Sequence, residues 1–81
     1  MTDHPLSHLR ITIDSIDEAL MQLLAKRLRV VDDVIAVKQA NGLSATIPER
    51  VEAVVAHARK LAGENDVPPK MAERLWRTLI A

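Results

Sequence analysis

The stretch Leu23–Lys38, LLAKRLRVVDDVIAVK, reads as helix from end to end, and it sets two cations on an apolar stripe. At 3.6 residues per turn, Arg27 and Lys38 fall on the stripe that also carries Leu20, Leu23, Leu24, Val31 and Val34. They are eleven residues apart, three turns plus about 20°, so they share a face about 16 Å apart along the axis. Val30, Val31 and Val34 lie between them and leave room for something small. Two readings are open. Long cationic side chains can rest their aliphatic stems on apolar surface and send the charged ends to water. Alternatively, the guanidinium and the ammonium converge on one bound anion of modest size.

Outward from this stretch the same periodicity continues. Between Pro5 and about Ala40 no proline or glycine intervenes, and Leu9, Ile13, Ile16, Leu20, Leu23, Leu24, Val31, Val34 and Ile35 keep three-and-four spacing. The spacing predicts a first helix over about 5–40, with Pro5 in its first turn and Asn41-Gly42 as a left-handed cap. Thr46, with Glu49 three residues on, has the pattern of a capping box. A second helix is expected over about 47–62, with Val51, Val54, Val55, Ala58 and Leu61 on one face and a stop at Gly63. Pro68-Pro69 open a third, over about 68–81, whose stripe is Met71, Ala72, Leu75, Trp76, Leu79 and Ile80. Trp76 at this spacing belongs to a core. The chain reads as one all-α domain over 1–81.

The first helix is about 50 Å long at 1.5 Å per residue. A compact domain of 81 residues has a diameter of only about 30 Å. The two later helices, each about half as long, cover part of the first helix's stripe when packed back as a hairpin. A second copy of the chain covers the rest, since each buried apolar side chain contributes about 1.5–3 kcal/mol. A monomer with a kinked or frayed first helix is the alternative. Arg10, near the same stripe, is seventeen residues from Arg27, about 25 Å along the axis, so no small molecule touches both within one chain. In an antiparallel pair of long helices the partner's Arg10 arrives beside Arg27, and the dimer that covers the stripe also assembles the charges.

Composition narrows the function classes. Eleven basic and eleven acidic residues cancel, which argues against a broad nucleic-acid or acidic-membrane footprint. Trp76 is the one aromatic side chain, so base-stacking platforms are not on offer. There is no cysteine, and His4, His8 and His57 are scattered, so no metal site is expected. No apolar run has the length of a signal peptide or a membrane span, which makes the cytoplasm the expected location. Asp14 and Asp17 read as surface or supporting carboxylates rather than catalysts, and Asp32-Asp33 as intrahelical partners of Arg29.

The order of these residues resembles the small all-helical chorismate mutases (chorismate mutase type II) and their relatives, the isochorismate pyruvate-lyases. The resemblance is carried by Leu9-Arg10, Ile13-Asp14, Ile16-Asp17, Leu24-Ala25-Lys26-Arg27, Lys38 and Pro48-Glu49-Arg50, and it covers almost the whole chain. It implies an intertwined antiparallel homodimer of three-helix protomers with two shared sites. It also implies that Arg27, with Arg10 of the partner chain, clamps the two carboxylates of a chorismate-type substrate. Lys38 then donates to the ether oxygen joining the enolpyruvyl group to the ring, and Arg50 sits at the edge of the site. Ile47, Val51 and Val34 complete the expected lining. Both family reactions are pericyclic and need no nucleophile, metal or cofactor.

The resemblance implies a chorismate mutase of the shikimate pathway and aromatic amino acid biosynthesis. The alternative is an isochorismate pyruvate-lyase giving salicylate, and a non-catalytic helical dimerisation or binding module is a third possibility of a different class. Typical mutases carry an Asp and a Glu where this chain has Ile47 and Val51, and the lyase branch carries apolar residues there. The loop from Lys38 to Arg50 has the mutase length. A glutamine that the family places late in the third helix would fall beyond Ala81.

Overall fold

The computed structural model describes residues 4–44 and 47–80. It is all-α: α1 spans Ser7–Ala40, α2 spans Pro48–Glu64 and α3 spans Pro69–Ile80, with no strand among the described residues. The chain divides after Leu43 into two units, one holding α1 and the other holding α2 and α3.

α1 begins two residues later than its sequence suggests, because Pro5 and Leu6 form a turn in front of it. The Ser7 N–H donates to the His4 carbonyl at 2.9 Å, and the Leu6 N–H donates to His4 Nδ1 at 3.1 Å. The imidazole thus takes one of the donors that a helix start leaves orphaned, where Leu6 at the N-cap offers no side-chain acceptor. At the other end the cap is the expected one. Gly42 is left-handed at φ 66°, the Leu43 N–H reaches back to the Lys38 carbonyl at 2.8 Å, and Asn41 Nδ2 donates to the Val37 carbonyl at 2.8 Å. This is a Schellman-type ending, in which orphan carbonyls of the last turn find donors beyond it.

No residue of α1 is buried. Leu9 and Leu23 are 61% exposed and Leu20 is 52% exposed.

The second unit is built differently. α2 has Ile47 as its N-cap, in extended conformation and with no side-chain bond, and Pro48 in the first turn. The capping box centred on Thr46 is therefore not the start of this helix; Thr46 itself lies outside the described residues. Proline opens the helix instead, its fixed φ being ready for the first helical position. Nor does Gly63 stop α2. The helix runs through it to Glu64, Asn65 caps it, and the left-handed residue is Asp66 at φ 57°. The Val67 N–H closes the motif on the Ala62 carbonyl at 2.9 Å. α3 starts at Pro69 rather than Pro68, whose carbonyl accepts from Met71 and Ala72, and it ends at Ile80. Ala81 lies outside the described residues.

α2 and α3 pack on one another around Val55, Ala58, Ala62 and Ala72, each at most 4% exposed. Small side chains at the crossing let two helix axes approach closely. Val51, Val54, Val67, Trp76, Leu79 and Ile80 are half-buried around that centre. Leu61, Met71 and Leu75, expected on the inner stripes, are exposed instead, because the alanines face inward and the long side chains stand on the flank. One edge of the pair is closed by a charge ladder. Arg59 donates to Glu73 at 2.8 Å, Arg77 Nε donates to the other Glu73 oxygen at 3.0 Å, and both terminal nitrogens of Arg77 donate to Glu52 at 3.3 Å.

Candidate functional site

A 34-residue helix without proline or glycine holds its side chains at fixed angles along about 50 Å, so α1 works as a ruler. Arg27, Val34 and Lys38 share one face of it. Arg27 and Lys38 are both half-buried, as are Leu24 and Val31 on the same face, while Val34 is 46% exposed. Among residues 8–40, these two cations and these two aliphatic residues are the only ones that are half-buried; the rest are exposed. Both cations are therefore partly withdrawn from water on the face that carries Leu24 and Val31.

Lys38 occupies the last turn of α1, where a cation interacts favourably with the partial negative charge of the helix end. Its own carbonyl is tied to the Leu43 N–H, which fixes the backbone from which the side chain springs. Arg27 stands in mid-helix, where every backbone group is satisfied within the ladder. Arg10 is exposed, about 25 Å from Arg27 along the axis and turned about 100° around it. A single α1 brings Arg27, Val34 and Lys38 together and leaves Arg10 apart.

The remaining candidates open α2. The backbone N–H groups of Arg50 and Val51 both donate to the Ile47 carbonyl, at 2.9 and 3.1 Å, so the three are fixed in one turn. Arg50 is exposed, Ile47 is 38% exposed and Val51 is half-buried. A turn with one guanidinium and two aliphatic side chains offers a carboxylate contact and an apolar wall; Glu49 is the acid of the same turn.

Leu24 and Val31 are absent from the lining that the family resemblance implies. Their signal lay in the stripe itself: they flank Arg27 at three residues before and four after, the separation at which helical side chains touch. Among the described residues no group of three or more His, Asp or Glu side chains is placed to hold a metal ion, and no helix is long and apolar enough to cross a membrane. Two half-buried cations on an apolar strip can recognise a small dianion and stabilise negative charge that develops beside the ammonium.

Comparison with known proteins points the same way. Residues 9–81 match the family model described as chorismate mutase type II. The chain is 31% identical over 75 residues to a chorismate mutase of Methanocaldococcus jannaschii, covering 93% of this chain and 76% of that protein. It is 44% identical over 75 residues to a T-protein of Enterobacter agglomerans and 48% identical over 59 residues to a T-protein of Haemophilus influenzae. These matches take in 93% and 73% of this chain, but the chain spans only 20% and 15% of the two T-proteins. No solved structure gives a significant match.

Proposed function

This chain belongs to the chorismate mutase type II family, and from that premise we propose that it is a chorismate mutase, rearranging chorismate to prephenate. The observation that carries the reading is the pair Arg27 and Lys38, both half-buried on the one apolar strip of α1. The substrate is a flexible dianion. Guanidinium groups bind carboxylates in bidentate fashion, and holding the enolpyruvyl arm over the ring removes an entropic part of the barrier. As the ether C–O bond breaks, negative charge gathers on its oxygen. A fixed Lys38 ammonium there stabilises the transition state more than the ground state. Arg27 takes one carboxylate, Arg50 supports the edge of the site, and Leu24, Val31, Val34, Ile47 and Val51 exclude water around the ring.

The proposal includes a homodimer. α1 exposes Leu9, Ile13, Ile16, Leu20 and Leu23 along its length, a contiguous apolar surface of the kind that marks an interaction site. An antiparallel pairing of two α1 helices covers it and brings the partner's Arg10 to the Arg27 site, supplying the second carboxylate clamp.

The isochorismate pyruvate-lyase reading is favoured by one feature, the apolar Ile47 and Val51 beside Arg50. Incubating the purified chain with chorismate and with isochorismate separates the two: prephenate supports the mutase, and salicylate with pyruvate the lyase. Lys38→Ala is expected to lower kcat by about 10²–10³ while circular dichroism stays that of the parent. Equal activity in folded Lys38→Ala and Arg27→Ala chains overturns the mechanism. Mixing Arg10→Ala with Arg27→Ala, each inactive alone, is expected to restore about a quarter of parental activity, since half the dimers are mixed and each mixed dimer has one intact site. No recovery overturns the shared site.

A further inference from the structure

We propose that Asn41-Gly42 is a modification site of this chain, an asparagine that deamidates when the last turn of α1 opens and thereby places a carboxylate one turn from Lys38. The reaction needs no partner but water. The Gly42 backbone nitrogen gives up its proton and attacks Asn41 Cγ. The bond from Cγ to the side-chain nitrogen breaks and ammonia departs with that proton, leaving a five-membered succinimide. Water then opens the ring at either carbonyl, giving aspartate or isoaspartate. One water is consumed, one ammonia is released, and nothing is oxidised or reduced.

Three observations converge on this pair. Asn41 and Gly42 are both exposed, nothing lies within 4 Å of where a Gly42 Cβ would stand, and glycine has no side chain of its own to shield its nitrogen. The chain also carries its own control. Asn65-Asp66 ends α2 with the same motif: Asn65 Nδ2 donates to the Leu61 carbonyl at 2.8 Å, as Asn41 Nδ2 does to Val37, and Val67 closes on Ala62 as Leu43 closes on Lys38. The two sites differ in the residue that supplies the nitrogen, glycine against a β-substituted aspartate. They also differ in the residue that locks the motif, since Leu43 is 56% exposed and Val67 is half-buried.

The third observation is the gate. A succinimide requires Asn41 Cβ to eclipse the Gly42 nitrogen across the Cα–C bond. With ψ at 9°, Asn41's own backbone nitrogen takes that place, Cβ points away, and the Gly42 N–H is engaged with the Gln39 carbonyl at 3.3 Å. The capped end does not react; the frayed end does.

The product weakens the turn that made it. Aspartate loses the Nδ2 donor to Val37 and puts an anion at the negative end of the helix dipole. It also stands three residues after Lys38, within reach of its ammonium. This last consequence rests on the reading of Lys38 given above; the modification does not.

The test is to hold the full chain in mildly alkaline buffer, folded and in denaturant, and to follow peptides by mass. A gain of about one dalton is expected at Asn41, in part as isoaspartate, faster in denaturant than in the folded chain and faster than at Asn65. Asn41→Gln is expected to abolish it. A gain at Asn65 that equals or exceeds that at Asn41 overturns the site, and equal rates at Asn41 in folded and denatured chains overturn the gate. Asn41→Asp is expected to speed hydrogen exchange of the Leu43 amide and to raise KM for chorismate. Unchanged exchange overturns the effect on the turn. If the parent chain turns over no chorismate, the functional reading fails while the mass result stands.

Discussion

The two units of this molecule solve the same problem in opposite ways. The α2–α3 pair, built from a 17-residue and a 12-residue helix, finds a core within itself: three alanines and Val55 are buried at the crossing, and a four-residue charge ladder seals one edge. α1, at 34 residues, is twice the length of α2 and nearly three times that of α3, carries more large aliphatic side chains than both together, and buries none of them. Helices of that length are stabilised in proteins by packing of an apolar face rather than by propensity. The short pair holds its core within itself, whereas α1 buries none of its own large side chains.

Changing Leu20 to Asp in α1 is the strongest way to break this contrast. If a second copy covers the helix, each protomer loses about 1.5–3 kcal/mol of burial and a carboxylate is forced into an apolar seam. Sedimentation should then show monomer, with loss of the cooperative thermal transition. An unchanged sedimentation coefficient and melting temperature would mean that the α1 stripe needs no cover. In the second unit the equivalent blow is Ala58→Leu. Three added carbons at a 2%-exposed crossing should overpack the pair by about 1–3 kcal/mol, read as a lower denaturant midpoint.

The two helix ends sharpen the comparison at a smaller scale. Gly42 and Asp66 hold the same left-handed place, and only glycine does so without strain. Gly42→Ala should cost about 1 kcal/mol, and Asp66→Gly should gain somewhat less than that, both measured by chemical denaturation. The smallest effect is expected from the ladder. Hydrogen bonds from Arg77 first, then Arg59, hold the Glu73 carboxyl below the usual carboxylate range. A folded value below the unfolded one means that the contribution is present above the unfolded value and is lost as pH falls through the folded one. Being exposed, the ladder is worth little. Glu73→Gln should flatten the acid side of the stability profile slightly and leave neutral pH nearly unchanged. The raised Arg77 value adds nothing to that profile, because below it the side chain is always charged.

The helices themselves were legible residue by residue. Three-and-four spacing locates all three, and Asn41-Gly42 marks the end of α1, since the signal is local and chemical. The end of α2 lies beyond Gly63 for a reason that is also local. A left-handed residue works best when the next residue is apolar and can fold back onto the helix. Gly63 is followed by Glu64, whereas Asp66 is followed by Val67, which is half-buried. Glycine was the louder signal and valine the truer one. The candidate site divided along similar lines. The face shared by Arg27 and Lys38 follows from numbering alone, while the half-burial that singles them out with Leu24 and Val31 does not.

By itself, the sequence determined what a helical period can determine: which segments are helical, which faces are apolar, and that Arg10 lies out of Arg27's reach along one rod. The tertiary structure alone decided which apolar residues go inside. In the α2–α3 pair those are Val55, Ala58, Ala62 and Ala72 rather than Leu61, Met71 and Leu75. Hydrophobicity ranks leucine above alanine, but two helices that cross closely leave room only for small side chains between their axes, and that distance is a property of the pair and not of either segment.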